Sequence, residues 1–286
     1  MDNVSNKYRI IDLSLPIESA NQEFILPKIK FINHKKGANL LGLAGVISER
    51  STLKTFFNLL LYFLGIKKVN CKDFPDKIAL AWEEIQINTH TGTHLDAPWH
   101  FGPYCEGRPS KTIDQIPLEW CYADGVVLDM RYKQPKQPIA VEDLEMACRK
   151  INYSIKPRDI VLIMTGVDKF CKERKYLFKY PAINTEALLW LLDKGVKVIG
   201  TDAWGFDRPF KDMLKDYLKS KDKKYLWPNH LVGRGREYCH IEKLANLDKI
   251  PTPYGFKVAC FPINIKNASA GWARVVAIVE GELLTK

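Results

Sequence analysis

The chain has 286 residues, of which 46% are hydrophobic and 27% are charged, and its formal net charge is +10. This composition is typical of a soluble globular protein with enough apolar material for a core. The sequence contains no low-complexity segment, no repeat of fixed period and no Pro/Gly/Ser-rich linker, which argues against a repeat or modular architecture and predicts a single domain over residues 1–286.

The predicted secondary elements mix strands and helices. Segments that are mostly rich in Val and Ile predict seven strands, near 8–15, 78–89, 124–130, 159–165, 196–201, 256–265 and 273–280. Spaced apolar positions predict helices over 141–151 and 184–194, and Gly195 follows the second where a C-cap glycine belongs. The mixture predicts an α/β or α+β fold and excludes a pure class.

The most apolar run covers residues 56–66 (FFNLLLYFLGI), and it is flanked by Lys54 and by Lys67 and Lys68. A membrane span needs about 20 apolar residues, so this run is too short and we expect no membrane span. The run therefore predicts a buried or subunit-contacting helix, with a helix lying in the membrane interface as the alternative.

The stretch NTHTGTHLDAPWHF predicts a catalytic metal site. It holds three of the six histidines of the chain and one aspartate, namely His90, His94, Asp96 and His100. Imidazole and carboxylate groups are ligands that Zn²⁺ and Mn²⁺ accept, and the absence of cysteine argues against a structural zinc site. β-branched threonines, Gly92 and Pro98 disfavour a helix, so we expect a strand end that runs into a bent loop. Loop histidines that only hydrogen-bond locally are the alternative.

No glutamate lies between His90 and His94, which excludes the helical metalloprotease pattern. His100 is then the nearest candidate for a general base, because imidazole titrates near neutral pH.

HTGTHLDAPWHF resembles the His-x-Gly-Thr-His-x-Asp-x-Pro-x-His signature of the metal-dependent cyclase/hydrolase family, which includes bacterial kynurenine formamidase, isatin hydrolase and the putative polyketide cyclases. The segments RIIDLSLPIE, VIGTDAWGFDRPF and HIEKLANLDKIPTPYGFKVACFPINIKNASAGWARVVAI are also similar to family segments. The resemblance implies an α/β fold, a swivelling β/β/α domain with a small barrel-like mixed sheet surrounded by helices. It also implies a homo-oligomer that acts on a small-molecule aryl or cyclic substrate.

Carried over by position, the resemblance implies five metal ligands: His90, His94, Asp96, His230 and Glu242. It makes His100 the proton-transferring residue. The cofactor is Zn²⁺ or Mn²⁺, as one ion or as two bridged by Asp96, and the sequence leaves that choice open.

Two later residues have other interpretations. Glu242 without the resemblance is a surface glutamate near a turn or the start of a short helix. His240 competes with Glu242 as a ligand if 238–242 is a strand, because residues two apart then share a face. His34, isolated in FINHKKG, is assigned no role.

Aromatic side chains near the motif predict a substrate pocket, although such residues are also typical of a core. The candidates for substrate binding are Trp99, Trp204 and Phe206, and Phe210 is a further candidate for the pocket lining. The segment TDAWGFDRPF also predicts an internal ion pair among Asp202, Asp207 and Arg208. An apolar helical insertion near 52–68, in a stretch that looks longer than in the small formamidases, is expected to cap the pocket.

The predicted reaction is arylformamidase-like hydrolysis of an amide or lactone bond, with non-peptide C–N bonds as the main class. A divalent ion lowers the pKa of water from 15.7 towards about 7 and polarises a carbonyl, so that the metal-activated water attacks it. The alternative is a polyketide-type cyclase that closes a ring by metal-assisted aldol condensation. A binding protein that kept the fold is disfavoured, since competent residues occupy the matched positions.

The positive charge does not predict a nucleic-acid partner. Its densest segment, 211–224, carries aspartates among its lysines and lacks interleaved aromatic residues beyond Tyr217. Seven cysteines without CxxC spacing are expected to be reduced, and 1–9 (MDNVSNKYR) lacks the apolar region of a signal peptide. We therefore expect a cytoplasmic protein.

Overall fold

The computed structural model describes residues 7–47 and 51–280. The described residues divide into two compact units, a larger one of 7–26 and 88–280 and a smaller one of 27–47 and 51–87. The strands are β1 Tyr8–Asp12, β2 Lys28–Ile32, β3 Trp82–Gln86, β4 His94–Asp96, β5 Tyr104–Cys105, β6 Arg108–Pro109, β7 Tyr122–Asp129, β8 Pro138–Ile139, β9 Ile160–Met164, β10 Ala182–Ile183, β11 Val198–Thr201, β12 Cys239–Glu242, β13 Phe256–Ala259, β14 Ala270–Trp272 and β15 Val276–Glu280. The helices are α1 His34–Ile47, α2 Thr52–Phe63, α3 Pro98–Phe101, α4 Val141–Lys150, α5 Thr185–Asp193, α6 Phe210–Ser220 and α7 Pro228–Val232.

A nine-stranded mixed sheet in the order β1-β15-β13-β7-β9-β11-β12-β4-β14 forms the larger unit. The neighbours from β7 to β12 pair in parallel, and the outer pairs are antiparallel. Every residue of β9 is buried, because apolar clusters cover both faces of the sheet. Ile160 and Leu162 belong to one cluster and Val161 and Ile163 to the other, as the alternation of side chains in a strand requires. The mixed sheet and its helices confirm the predicted α/β class.

Most long elements were predictable from their periodicity. Each of the seven predicted strands has a counterpart, and the two predicted helices are α4 and α5. Gly195 follows α5 with a φ of +82°, the left-handed conformation expected of a C-cap glycine. The strand predicted over 256–265 ends early at Ala259, and Pro262 beyond it takes part only in an isolated bridge.

The smaller unit pairs β2 with β3 in antiparallel register, with Ile29 opposite Ile85. Close backbone approach requires a glycine on α1, because a Cβ at Gly37 would lie 1.8 Å from the carbonyl oxygen of Leu80. The single-domain organisation and the insertion near 52–68 stay predictions.

Helix α2 presents an apolar face to its surroundings. Its exposed large apolar side chains follow helical spacing: Leu53, Phe56, Phe57, Leu60 and Phe63. None of the residues of α2 is buried, so the prediction of a buried helix is wrong, whereas contact with a second subunit stays a prediction. In the described part of the chain, no helix combines the length and the apolar character needed to cross a membrane.

Helices α3 and α7 meet at Gly233, the residue that follows α7. A Cβ at Gly233 would lie 2.0 Å from the ring of Phe101, which is buried and stacks on Tyr238.

We expect Gly233→Ala to lower the free energy of unfolding by about 1–3 kcal/mol, because the ring of Phe101 must shift in a packed core. Urea unfolding measures this loss. The control is Gly235→Ala, whose Cβ would have its nearest neighbour at 3.9 Å, and an equal loss in both variants would contradict the packing argument.

Candidate metal centre

Two neighbouring antiparallel strands supply the centre of the site. In the pairing of β4 with β12, Glu242 lies opposite His94 and His240 lies opposite Asp96. Residues that lie directly opposite each other on paired strands point to the same face, as do residues two apart on one strand. The register therefore brings two imidazoles and two carboxylates together on one face of the sheet.

The first ligand group consists of His90, His94 and Asp96. His90 Nδ1 lies 2.8 Å and His94 Nε2 lies 3.4 Å from Asp96 Oδ1. Gly92, with a φ of +66°, provides the turn between the two histidines. His94 Nδ1 lies 2.9 Å from the carbonyl oxygen of Gly92, which orients the ring so that Nε2 faces the site.

The second ligand group consists of Asp96, His230, His240 and Glu242, whose candidate ligand atoms lie within 4.8 Å of one another. His240 Nε2 is 2.7 Å from Asp96 Oδ2 and 3.5 Å from Glu242 Oε1. His230 Nε2 is 4.0 Å from the same Glu242 oxygen. Asp96 belongs to both groups, each of its oxygens facing one of them.

The residues of both groups fit a divalent cation. His94 Nε2 and Asp96 Oδ1 are buried and make no well-directed hydrogen bond, although polar atoms in protein interiors nearly always have a partner. Imidazole nitrogens with carboxylate oxygens are a donor set for Zn²⁺ or Mn²⁺. Two ligand groups that share one carboxylate are compatible with two ions.

The electrostatics of the cluster favour an ionised Asp96 and the protonation of two of the imidazoles, those of His90 and His230. Burial opposes ionisation of Asp96, but the surrounding imidazoles hold its pKa well below the usual range. Burial also opposes protonation of His90, yet the adjacent Asp96 carboxylate raises the pKa of His90. Asp207 raises the pKa of His230 against the same effect of burial. A metal ion would displace these protons, because imidazole ligates in its neutral form.

His230 is held by a carboxylate behind it. His230 Nδ1 lies 2.7 Å from Asp207 Oδ2, and the backbone N–H groups of Asn229 and His230 donate to the same carboxyl group. This contact leaves Nε2 of His230 free to face Glu242. The sequence did not indicate that Asp207 holds His230, because a contact between residues 207 and 230 leaves no local pattern.

The predicted ion pair among residues 202, 207 and 208 is wrong. Arg208 lies just before α6 and pairs instead with Asp216, in the second turn of that helix, at 2.9 Å. Asp202 is buried and accepts hydrogen bonds from Thr165 and from the backbone N–H of Gly166. Burial raises the pKa of Asp202 to about 7.

His100, on α3, lies beside the cluster and is in neither ligand group. Its ring centroid is 4.2 Å from that of His90 and 5.3 Å from that of His230. Part of the His100 side chain reaches solvent. Packing against the cluster nevertheless desolvates the ring and so lowers its pKa. The neighbouring imidazoles lower this pKa further, although the Asp96 carboxylate raises it. Together they lower the pKa of His100 to about 4, so the ring is neutral at pH 7.

Three of the four aromatic candidates, Trp99, Trp204 and Phe206, lie in different environments. Trp99 is exposed next to His100. Phe206 is only 2% exposed: its ring stacks on His240 at 4.5 Å and its backbone N–H donates to Glu242 Oε1 at 2.8 Å. Phe206 therefore supports two candidate ligands from behind. Trp204 packs over the ammonium group of Lys243, 4.8 Å from the ring centroid.

Trp227, which the sequence did not suggest, lies near the second group together with Phe210, the fourth aromatic candidate. Trp227 packs edge-on against His230 with centroids 5.0 Å apart, and it stacks on Phe210 at 5.5 Å. Both side chains are exposed.

His240 joins the candidate ligands. The sequence offered it only as a competitor of Glu242, and the structure places both residues in the second ligand group.

Comparison with known proteins gives concordant results. The family model described as putative cyclase matches residues 11–208. Isatin hydrolase from Roseibium aggregatum is 25% identical over 219 residues, which cover 70% of this chain and 75% of that protein. A kynurenine formamidase from Bacillus cereus is 23% identical over 194 residues, 68% of this chain and 78% of that protein.

A solved isatin hydrolase structure, with the product analogue thioisatinate bound, has a TM-score of 0.68 at 19% identity and covers 97% of this chain and 95% of its own. This similarity establishes the same fold. The family-model match contains the stretch from His90 to His100 and ends before His230 and Glu242.

Asp207 offers a test of the second ligand group. We expect Asp207→Asn to weaken divalent-ion binding by about 10–100-fold, because His230 loses the charge that orients it and makes it more basic. Chelator-competition titration measures the affinity. Asp216→Asn, which breaks only the half-exposed pair with Arg208, is the control. Unchanged affinity in a folded Asp207→Asn variant would show that His230 is not a ligand.

Proposed function

The chain belongs to the putative cyclase family, and from this membership we propose that it is a metal-dependent hydrolase of an amide or lactone bond in an aryl or cyclic small molecule. The single observation that carries the proposal is the buried cluster in which Asp96 joins two ligand groups. The matched relatives support the reaction class, since isatin hydrolase and kynurenine formamidase are named for hydrolysis of C–N bonds.

The proposed metal ligands are those of the two groups: His90, His94 and Asp96 for one position, and Asp96, His230, His240 and Glu242 for the other. We propose Zn²⁺ or Mn²⁺ as the cofactor. When bound, such an ion polarises a substrate carbonyl and makes water a better nucleophile at neutral pH.

His100 is the proposed proton-transfer residue. Its neutral imidazole at pH 7 accepts a proton from the attacking water. The resulting imidazolium then donates to the leaving nitrogen or oxygen as the tetrahedral intermediate collapses. The position of His100 supports this role, because its ring packs against those of His90 and His230 without belonging to either ligand group.

An aromatic ring on the substrate is supported by the aromatic surface near these imidazoles. Trp99 and Trp227 are both exposed, beside His100 and His230 respectively. Ring closure by aldol condensation is not favoured, because the matched relatives are hydrolases.

We also propose that the chain acts as a homo-oligomer in the cytoplasm. The exposed apolar face of α2 supports a contact between subunits. The seven cysteines are all free, which supports a reducing compartment.

Metal analysis of the purified protein, paired with hydrolysis assays on N-formylkynurenine and isatin with and without Zn²⁺ or Mn²⁺, tests the proposed function. Metal-dependent turnover of either substrate is the expected result. Protein that binds metal and hydrolyses neither compound would contradict hydrolysis of these two substrates, and protein that binds no metal under any loading would contradict the site.

Two histidine variants separate metal binding from proton transfer. His94→Ala should lose both metal and activity, whereas His100→Ala should retain most of its metal and lose about 10²–10⁴-fold in kcat. Metal content and turnover are measured on the same preparations. His34→Ala, an exposed histidine on α1, is the matched control and should change neither quantity. Equal metal loss in the His94 and His100 variants would make His100 a ligand.

A further inference from the structure

Glu23 and Lys243 form a buried ion pair behind the first ligand group. Lys243 Nζ lies 2.6 Å from Glu23 Oε2, and the two side chains are only 3% and 7% exposed. No other pair of a lysine or arginine with an acid in the described part of the chain is as buried. Two charges withdrawn from water in this way are costly unless further polar contacts satisfy them.

Those further contacts are backbone groups of the turn that carries the metal motif. Glu23 Oε1 accepts a hydrogen bond from the N–H of Gly92 at 2.8 Å. Lys243 Nζ donates to the carbonyl oxygen of His90 at 2.7 Å. One carboxylate and one ammonium group thus bracket the turn at two points, two residues apart, and neither group contacts a candidate ligand atom.

The Glu23–Lys243 pair, called the bracket below, is itself held in place by further contacts. The Trp204 ring covers the ammonium group of Lys243, and Trp204 Nε1 donates to the carbonyl oxygen of Gln22, next to Glu23. The backbone carbonyl of Lys243 accepts from the hydroxyl of Thr93, within the same motif. Lys243 follows Glu242 directly, so the bracket joins the end of β12 to the turn before β4.

We propose that Glu23 and Lys243 are positioning residues that hold the His90–Gly92 turn, so that His90 presents Nδ1 beside Asp96 to the metal. This inference rests on the proposed function only in treating His90 as a ligand. It also assigns Trp204 to the cover of Lys243 instead of to the substrate.

The physical reason lies in the geometry of the turn. Gly92 adopts a left-handed conformation, and its buried N–H and the carbonyl oxygen of His90 have no strand partner. Hydrogen bonds from charged groups are stronger than those from neutral ones, so the bracket fixes both backbone groups. Without it, the turn has other conformations available, and His90 spends less time in the position that binds metal.

The first test is metal affinity, measured by chelator competition with Zn²⁺ and without substrate. We expect Lys243→Met to weaken binding at the first ligand group by about 10–100-fold, as outer partners of metal ligands typically do. Glu23→Gln, which keeps an oxygen for the N–H of Gly92, should have a smaller effect in the same direction. The ion at the second group should be retained in both variants. Unchanged affinity in a folded Lys243→Met protein would overturn the proposal.

The matched control is Lys172→Met. It removes a 2.8 Å ion pair with Glu18, five residues before Glu23, but the lysine side chain there is 60% exposed. This variant should bind Zn²⁺ like the unaltered protein. If Lys243→Met fails to fold, as urea unfolding would show, the double variant Glu23→Gln with Lys243→Met removes both charges and replaces it in the titration.

A double-mutant cycle decides whether Lys243 acts through His90. In a His90→Ala background, Lys243→Met should cause no further loss of Zn²⁺ affinity, because the residue that it positions is already absent. An independent loss of the same size in both backgrounds would overturn the proposal. Since no turnover is measured, an error in the proposed reaction would leave this outcome unchanged.

Discussion

The buried carboxylate of Asp96 is the constraint on which the rest of the site depends. It lies on β4 between β12 and β14, with no exposure to solvent, and a buried charge is tolerated only when partners surround it. His90 and His94 approach one oxygen and His240 approaches the other. The arrangement of the first ligands therefore follows from the need to compensate one charge, and a cation between the oxygens and the imidazoles would meet that need more fully.

A second layer of contacts prevents the ligands from rotating. Asp207 holds the ring of His230, the carbonyl oxygen of Gly92 holds that of His94, and the backbone of Phe206 holds Glu242. The contacts of the two histidines use Nδ1, so that Nε2 stays available to the cluster, whereas the Phe206 N–H donates to Glu242 Oε1, the oxygen that also faces His230 and His240. Such preorganisation is how a protein keeps a metal site in one geometry when no ion is bound. The Glu23–Lys243 pair extends the same logic to the backbone of the turn.

The sequence predicted the parts of the molecule that are encoded locally. The motif from His90 to His100 and most of the longer strands carry their signals within a few residues, whereas β14 has only three residues and β12 was considered only as a possible strand over 238–242. The pairing of Asp207 with His230 and the burial of Lys243 depend on which strands become neighbours. Phe206 and Trp204 show the same limit: their types suggested a substrate surface, and only the packing assigns them to support.

The two ligand groups differ in access, and this difference bears on where chemistry takes place. The four residues of the second group are all buried, while the side chain of His90 in the first is 29% exposed and adjoins the exposed His100. Closed metal sites mainly stabilise structure, whereas catalytic sites keep a position open for substrate. The side chains of His90 and His100 are therefore the parts of the cluster most open to a carbonyl compound that arrives from solvent. The proposed proton-transfer residue therefore adjoins the more accessible of the two candidate ligand groups, which is the arrangement that the proposed hydrolysis requires.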